Sequence, residues 1–217
     1  ASAQVRLALF KNFTIKNCEI LHMATKSWGM LVFGSGNNAK GVYTIENCTF
    51  NGVGTQGIYI NEEKSRATYN IIDCTFNGDF GGEGAITIQT NKDVEHIVNV
   101  ERCEFNNIPA TSHRIFLAPN KGLFYDFTLN TDLEATTAYE FNVFVKLGLQ
   151  NIRLADGVYN AEYFYLKGKN INISAVNPGN VTINSFVHLN GGKYTFNGIK
   201  FTNTNAYQAN PEAVGNE

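Results

Sequence analysis

One eight-residue unit recurs through the first half of the chain and constrains its fold more than any other feature. Tyr43-Thr-Ile-Glu-Asn-Cys-Thr-Phe50 returns as Tyr69-Asn-Ile-Ile-Asp-Cys-Thr-Phe76 and as Val98-Asn-Val-Glu-Arg-Cys-Glu-Phe105. It is already present as Phe13-Thr-Ile-Lys-Asn-Cys-Glu-Ile20. All four cysteines occupy one position of the unit, and the steps from Cys18 to Cys48, Cys74 and Cys103 are 30, 26 and 29 residues. Self-similarity at such a period is the signature of a stacked, quasi-one-dimensional architecture.

Within the unit, Ile45, Cys48 and Phe50 form the candidate interior set. A flat strand would not point all three the same way. The chain must therefore bend between Ile45 and Cys48, where Asn47 sits and where the next copy has Asp73. Both residue types tolerate the left-handed conformation that such a corner needs. The unit is thus two short strands around a corner, and the same logic places Ile71, Cys74, Phe76, Val100, Cys103 and Phe105 inside. A turn and a third strand follow each copy. The turns are Asn51-Gly52-Val-Gly54, Asn77-Gly78-Asp-Phe-Gly-Gly82 and Asn106-Asn107-Ile-Pro109. The strands are Gly29-Met-Leu-Val-Phe33, Gly57-Ile-Tyr-Ile60, Ala85-Ile-Thr-Ile88 and Arg114-Ile-Phe-Leu117. Short strands, asparagine-rich corners and polar loops of varied length describe a solenoid.

These residues resemble a right-handed parallel β-helix of the pectate-lyase-like superfamily, over nearly the whole chain. The resemblance concerns the fold and not an activity, because that superfamily includes lyases, hydrolases, adhesins and phage fibres. Leu149-Gln-Asn-Ile-Arg-Leu-Ala-Asp-Gly-Val-Tyr159 resembles the opening coil of such proteins. Tyr194-Thr-Phe-Asn-Gly-Ile-Lys-Phe201 is the repeat unit again, with Gly198 at the corner and Ile199 in place of the cysteine. Thr131 and Glu134 form a capping-box pattern for a short helix or cap over 131–138.

The expected fold is therefore all-β, a right-handed parallel β-helix of about six coils with a permuted-looking chain order. Residues 1–118 look like middle and C-terminal coils, 119–138 like a connector or cap, and 139–217 like N-terminal coils stacking with 1–118 into one solenoid. Three arrangements produce such an order: a circular permutant, an open head-to-tail fibre in which each subunit stacks on the next, and a fragment of a tandem array.

A formal net charge of −2 with 17% charged residues gives no basic stripe for a nucleic-acid partner. There is no apolar run long enough for a membrane span. No signal peptide is read in this sequence, and the small-residue start Ala1-Ser2-Ala3 would suit a mature or trimmed end. The cysteine spacings are not those of a zinc site. They describe a column of thiols, one per coil, acting as small apolar residues, since parallel in-register side chains hardly reach a disulfide dihedral. His22, His96, His113 and His188 are scattered, so no metal site and no cofactor is expected. His188 alternates with apolar neighbours and points outward. The sequons at Asn12, Asn47, Asn172 and Asn180 read as turn chemistry.

For catalysis, the loops offer Glu62, Glu63, Lys64 and Arg66, then Lys92, Asp93 and Glu95, as calcium ligands or bases, or simply as a solvated rim. The Trp-Ile-Asp-His signature of pectate lyases is absent, the only tryptophan being Trp28. Of the polygalacturonase motifs only Asn130-Thr131-Asp132 occurs, without Asp-Asp or Gly-His-Gly. No catalytic residue is assigned. For binding, if Ile58 and Ile60 face in, Tyr59 faces out, and Leu31, Thr87 and Phe116 with it. That is an outward column suited to sugar stacking or a protein interface, unless residues 119–138, with Leu123, Phe124, Tyr125 and Phe127, cover it. The functional expectation is a non-catalytic extracellular or cell-surface module, adhesin-like or carbohydrate-binding, with a polysaccharide or glycan or a second copy end to end as partner. The alternative is a polysaccharide lyase or glycoside hydrolase.

Overall fold

The computed structural model describes residues 5–7, 12–21, 29–34, 41–61, 67–89, 96–117, 125–130, 134–147, 149–167 and 170–203. With 60% strand and 6% helix the protein is all-β, and its stacked parallel sheets make a β-solenoid. The chain forms two compact units, Ala1–Asp132 and Leu133–Glu217.

Unit 1 holds, in chain order, β1 (Val5–Leu7), β2 (Asn12–Lys16), β3 (Glu19–Leu21), β4 (Leu31–Gly34), β5 (Val42–Glu46), β6 (Thr49–Val53) and β7 (Ile58–Asn61). There follow β8 (Thr68–Ile72), β9 (Thr75–Asp79), β10 (Ile86–Ile88), β11 (His96–Glu101), β12 (Glu104–Asn106), β13 (Ile115–Leu117) and β14 (Tyr125–Asn130). They sort into three parallel sheets, β1-β4-β7-β10-β13, β2-β5-β8-β11-β14 and β3-β6-β9-β12. Every third strand joins the same sheet, so each pass of the chain adds one rung. The repeat unit supplies the second and third strands of the rung. Register is kept copy to copy: Ile45 lies between Ile15 and Ile71, and Phe50 between Ile20 and Phe76.

The interior expected from the repeat is the interior found. Ile45, Cys48, Phe50, Ile71, Cys74, Phe76, Val100 and Cys103 are buried, while Phe105, on the edge strand β12, is half-buried. Phe76 stacks between Phe50 and Phe105, with ring centroids 4.9 and 5.0 Å away and planes within 10°. Tyr43 stacks on Tyr69 at 5.2 Å. Such pairs add about 0.5–1.5 kcal/mol each beyond the area they bury.

The corner is where the sequence placed it. Asn17, Asn47, Asp73 and Arg102 all have positive φ, between 48° and 56°. Glycine is required where rungs approach closely. A Cβ on Gly52 would lie 2.4 Å from the Asp79 carbonyl oxygen, and one on Gly57 2.6 Å from that of Ala85.

Unit 2 holds β15 (Glu134–Ala135), α1 (Ala138–Lys146), β16 (Asn151–Leu154), β17 (Gly157–Lys167), β18 (Ile171–Ala175), β19 (Val181–Asn190), β20 (Tyr194–Asn197) and β21 (Ile199–Thr202). Its parallel sheets are β15-β16-β18-β20 and β17-β19-β21. The helix packs against the first strands of both sheets. Its buried Phe141 meets Phe164 at 4.6 Å and Tyr159 edge-on at 6.3 Å.

The segment expected to be a connector, 119–138, contributes strands. Its residues 125–130 are β14, which extends the second sheet of unit 1, and 134–135 are β15 of unit 2. Residues 119–124 and 131–133 lie outside the described residues. The helix expected over 131–138 begins instead at Ala138, with Thr137 as N-cap accepting from the Glu140 amide at 3.1 Å. The Thr-x-x-Glu pattern occurs twice in succession. Only the second copy runs into an apolar helical stripe, Phe141, Val143 and Phe144, that the strands of unit 2 bury.

Candidate functional site

The outward column expected on the first sheet of unit 1 is not outward. Leu31, Tyr59 and Thr87 are buried, and Phe116 is half-buried. The sheet is covered on both faces, as parallel sheets usually are, so alternation does not separate inside from outside there. Leu31 is also out of phase with the rest. It pairs with Ile58, and the column is Val32, Tyr59, Thr87 and Phe116. A slip of one residue moves a side chain to the other face. Tyr59 donates its hydroxyl proton to Gln89 Oε1 at 2.6 Å, the polar handle of a packed aromatic.

Glu62, Glu63, Lys64, Arg66, Lys92, Asp93 and Glu95 lie outside the described residues, as do Trp28, His22, Leu123, Phe124, Thr131 and Asp132. Among the described residues, no three His, Cys, Asp or Glu side chains are grouped as metal ligands.

The thiol column is real. All four cysteines are free, three of them buried and Cys18, on the first rung, half-buried. Each Sγ lies 3.2–3.4 Å from the carbonyl oxygen two residues earlier. Cys48, Cys74 and Cys103 also lie 3.5–3.7 Å from a carbonyl of the preceding rung. Burial pushes the Cys48 thiol up. Cys74 is pushed up first by its hydrogen bond with Cys103 and then by burial. The same bond lowers Cys103, whose thiolate would accept it. Since the thiolate is the reactive form, Cys48 and Cys74, buried and shifted up, are packing groups.

On the outer surface, polar side chains of successive rungs bond to one another. Asn106 donates to Asn77 (3.1 Å), Asn77 to Asn51 (3.0 Å) and Asn51 to the Glu19 carboxylate (2.9 Å). Asn99 donates to Asn70 and Asn47 to Asn17, both at 2.7 Å. Arg102 grips Asp73 with two nitrogens, at 2.7 and 2.8 Å. In unit 2, Asn172 donates to Asn151 and Asn184 to Asn160. Two sequon asparagines, Asn12 and Asn172, therefore stand in strands and not in turns, whereas Asn47 is a corner.

Two features of unit 2 were not legible in advance. The first is a cleft of about 540 Å³ lined by Asn142, Val145 and Lys146 of α1 and by Tyr165 of β17. Spacing of three and four residues puts the helical three on one face. Tyr165 is 42% exposed. His188, its cross-strand neighbour, covers one side of its ring at 4.8 Å, and Asn190 donates to its hydroxyl at 2.7 Å. His188 thus points outward, as expected.

The second is a gradient along the interior columns. Ile171, Ile173, Val181 and Ile183 are buried, but the residues that follow them in register, Tyr194, Phe196, Ile199 and Phe201, are not. Phe201 is 50% exposed. Unit 1 shows part of the mirror of this at its first rung, where Ile20 is already buried. There Ile15 and Cys18 are half-buried, while Ile45 and Cys48 on the next rung are fully buried.

Fold and surface define a parallel β-solenoid protein. No protein-family model, curated protein or solved structure matches the chain.

Proposed function

We propose that the protein is a non-catalytic structural module, a β-solenoid of the right-handed, pectate-lyase-like kind, acting outside the cell or at its surface. The observation that carries this reading is the set of cross-rung ladders. Outward amides, carboxylates and the Arg102 guanidinium are engaged with their neighbours on the next rung, which stiffens the surface and leaves these groups spoken for. The column of free thiols, buried at Cys48, Cys74 and Cys103, supports the same reading. The test is incubation of the purified protein with neutral and acidic polysaccharides, following new reducing ends and unsaturated products. No product is expected. Product that disappears on substituting Lys64 or Arg66 would establish the alternative, a lyase or hydrolase.

A second reading, glycan binding, is favoured by the Tyr165 cleft. A tyrosine backed by His188 presents a flat, held ring face, and the Asn142 amide and Lys146 ammonium offer polar contacts around it. Titration with oligosaccharides of several classes should show saturable binding that Tyr165→Ala weakens at least tenfold and Tyr165→Phe preserves. Equal binding by the alanine variant would remove this reading.

A further inference from the structure

The last rung of unit 2 and the first rung of unit 1 are two versions of one sequence. Tyr194 to Phe201 repeats Phe13 to Ile20 position by position, with Phe196 for Ile15, Gly198 for Asn17, Ile199 for Cys18 and Phe201 for Ile20. Among the described residues β20 and β21 are edge strands, and so are β2 and β3. An edge strand presents a row of backbone donors and acceptors ready to pair with another chain. Here each edge also carries interior-column side chains that stay half-exposed, Phe196, Ile199 and Phe201 on one and Ile15 and Cys18 on the other.

Direction agrees as well. In both units successive rungs are added in chain order, β16 to β18 to β20 and β2 to β5 to β8. A second chain whose β2 followed β20 would continue that order with all strands parallel. In this alignment the corners coincide, Gly198 over Asn17, both at positive φ (71° and 56°). One further pair then falls together: Lys200, exposed on β21, stands opposite Glu19, exposed on β3. Glu19 accepts from Asn51 through one oxygen, and a carboxylate has lone pairs to spare for an ammonium.

We infer that the β20–β21 rung of one copy docks on the β2–β3 rung of a second copy, joining chains end to end in the register that sets Lys200 opposite Glu19. The inference rests on the structural-module reading and supplies its partner. The joint uses two different surfaces, so it is heterologous and builds a closed ring or an open chain of copies. Main-chain pairing supplies the adhesion, the Phe196, Ile199 and Phe201 side chains continue the interior columns, and the charge pair fixes the register against a slip of one residue.

The experiment is light scattering coupled to size-exclusion chromatography over a range of concentrations, with electron microscopy of the same samples. It uses the full chain, Phe201→Asp, Lys200→Glu, Glu19→Lys and the double charge reversal, each first matched to wild type by circular dichroism. Wild type should gain mass with concentration above the 24.0 kDa of one chain. Phe201→Asp should stay at one chain. Each single charge reversal should weaken association about five- to tenfold, more at low salt, and the double reversal should restore it. Wild type held at one chain throughout, with slowly exchanging amides in β20 and β21, would overturn the inference by showing that edge covered within the chain. Assembly indifferent to the single reversals, or not rescued by the double, would overturn the register. Loss of assembly leaves the structural reading standing, whereas polysaccharide products from an assembling protein sink that reading alone.

Discussion

The two units build the same corner with different residues, and the difference shows what a corner needs. In unit 1 four successive corners carry side chains in the left-handed conformation: Asn17, Asn47, Asp73 and Arg102. In unit 2 the corresponding position is Gly198 at φ 71°. A left-handed side chain costs about 1–2 kcal/mol that glycine does not pay. Stacking offsets that cost in unit 1, because corner side chains meet across rungs: Asn47 bonds Asn17, and Arg102 grips Asp73. The corner of unit 2 has Pro178 against it, 2.9 Å from where a Cβ would stand, and so takes no side chain. The neighbouring position follows suit. It is a thiol where carbonyls of two rungs surround it, and Ile199 where the column opens.

The largest effect should come from the column itself. Phe76→Ala should cost unit 1 about 3–5 kcal/mol, the range for a fully buried aromatic. Phe201→Ala, at the open end of the equivalent column, should cost unit 2 less than about 1 kcal/mol. Denaturant unfolding read separately on each unit by hydrogen exchange compares the two, and equal costs would break the contrast. At the corner, Gly198→Ala should lose about 2 kcal/mol, from strained φ and from Pro178 together, against about 1 kcal/mol for Asn47→Gly, which keeps the conformation but forfeits the bond to Asn17. Thermal unfolding of the two variants decides the order.

Thiols add a pH dependence peculiar to unit 1. An unfolded cysteine ionises near pH 8.5, whereas burial holds Cys48 protonated above that. The unfolded chain then binds fewer protons, so stability should be level below about pH 8.5 and fall as pH rises beyond it. Cys48→Val should flatten this slope, and Cys18 should react with a thiol reagent well before Cys48 and Cys74. The smallest effect belongs to the Asp73 carboxyl, which Arg102 holds below the usual carboxylate range. The stability it contributes is present above about pH 4 and is lost as pH falls through its lowered value. Arg102→Gln should therefore reduce the acid sensitivity of unit 1 in a pH titration of unfolding.

How much of this could be read from the chain depended on whether one residue type answers one physical demand. Asn and Asp at the repeat position answered the demand for positive φ, and the corner was legible down to Gly198. Arg102 was legible only by register, since nothing about arginine favours that conformation. The faces of the first sheet were not legible: Met30, Leu31, Val32 and Phe33 are buried alike, and a strand packed on both sides has no alternation to read. The helix start was ambiguous between two identical capping patterns. The Tyr165 cleft depends on α1 lying beside β17, a tertiary fact without a local sign.

The asparagine ladder of unit 1 has one further property. Asn106, Asn77 and Asn51 all donate in the same direction, toward the first rung, and the row ends on the Glu19 carboxylate. Aligned amides sum their dipoles, so this flank of unit 1 has an electrical sense, as a helix has. Its positive pole is met by a fixed negative charge at one end. Unit 1 is therefore chemically oriented: a ligand, surface or neighbour that responds to charge can tell its first rung from its last.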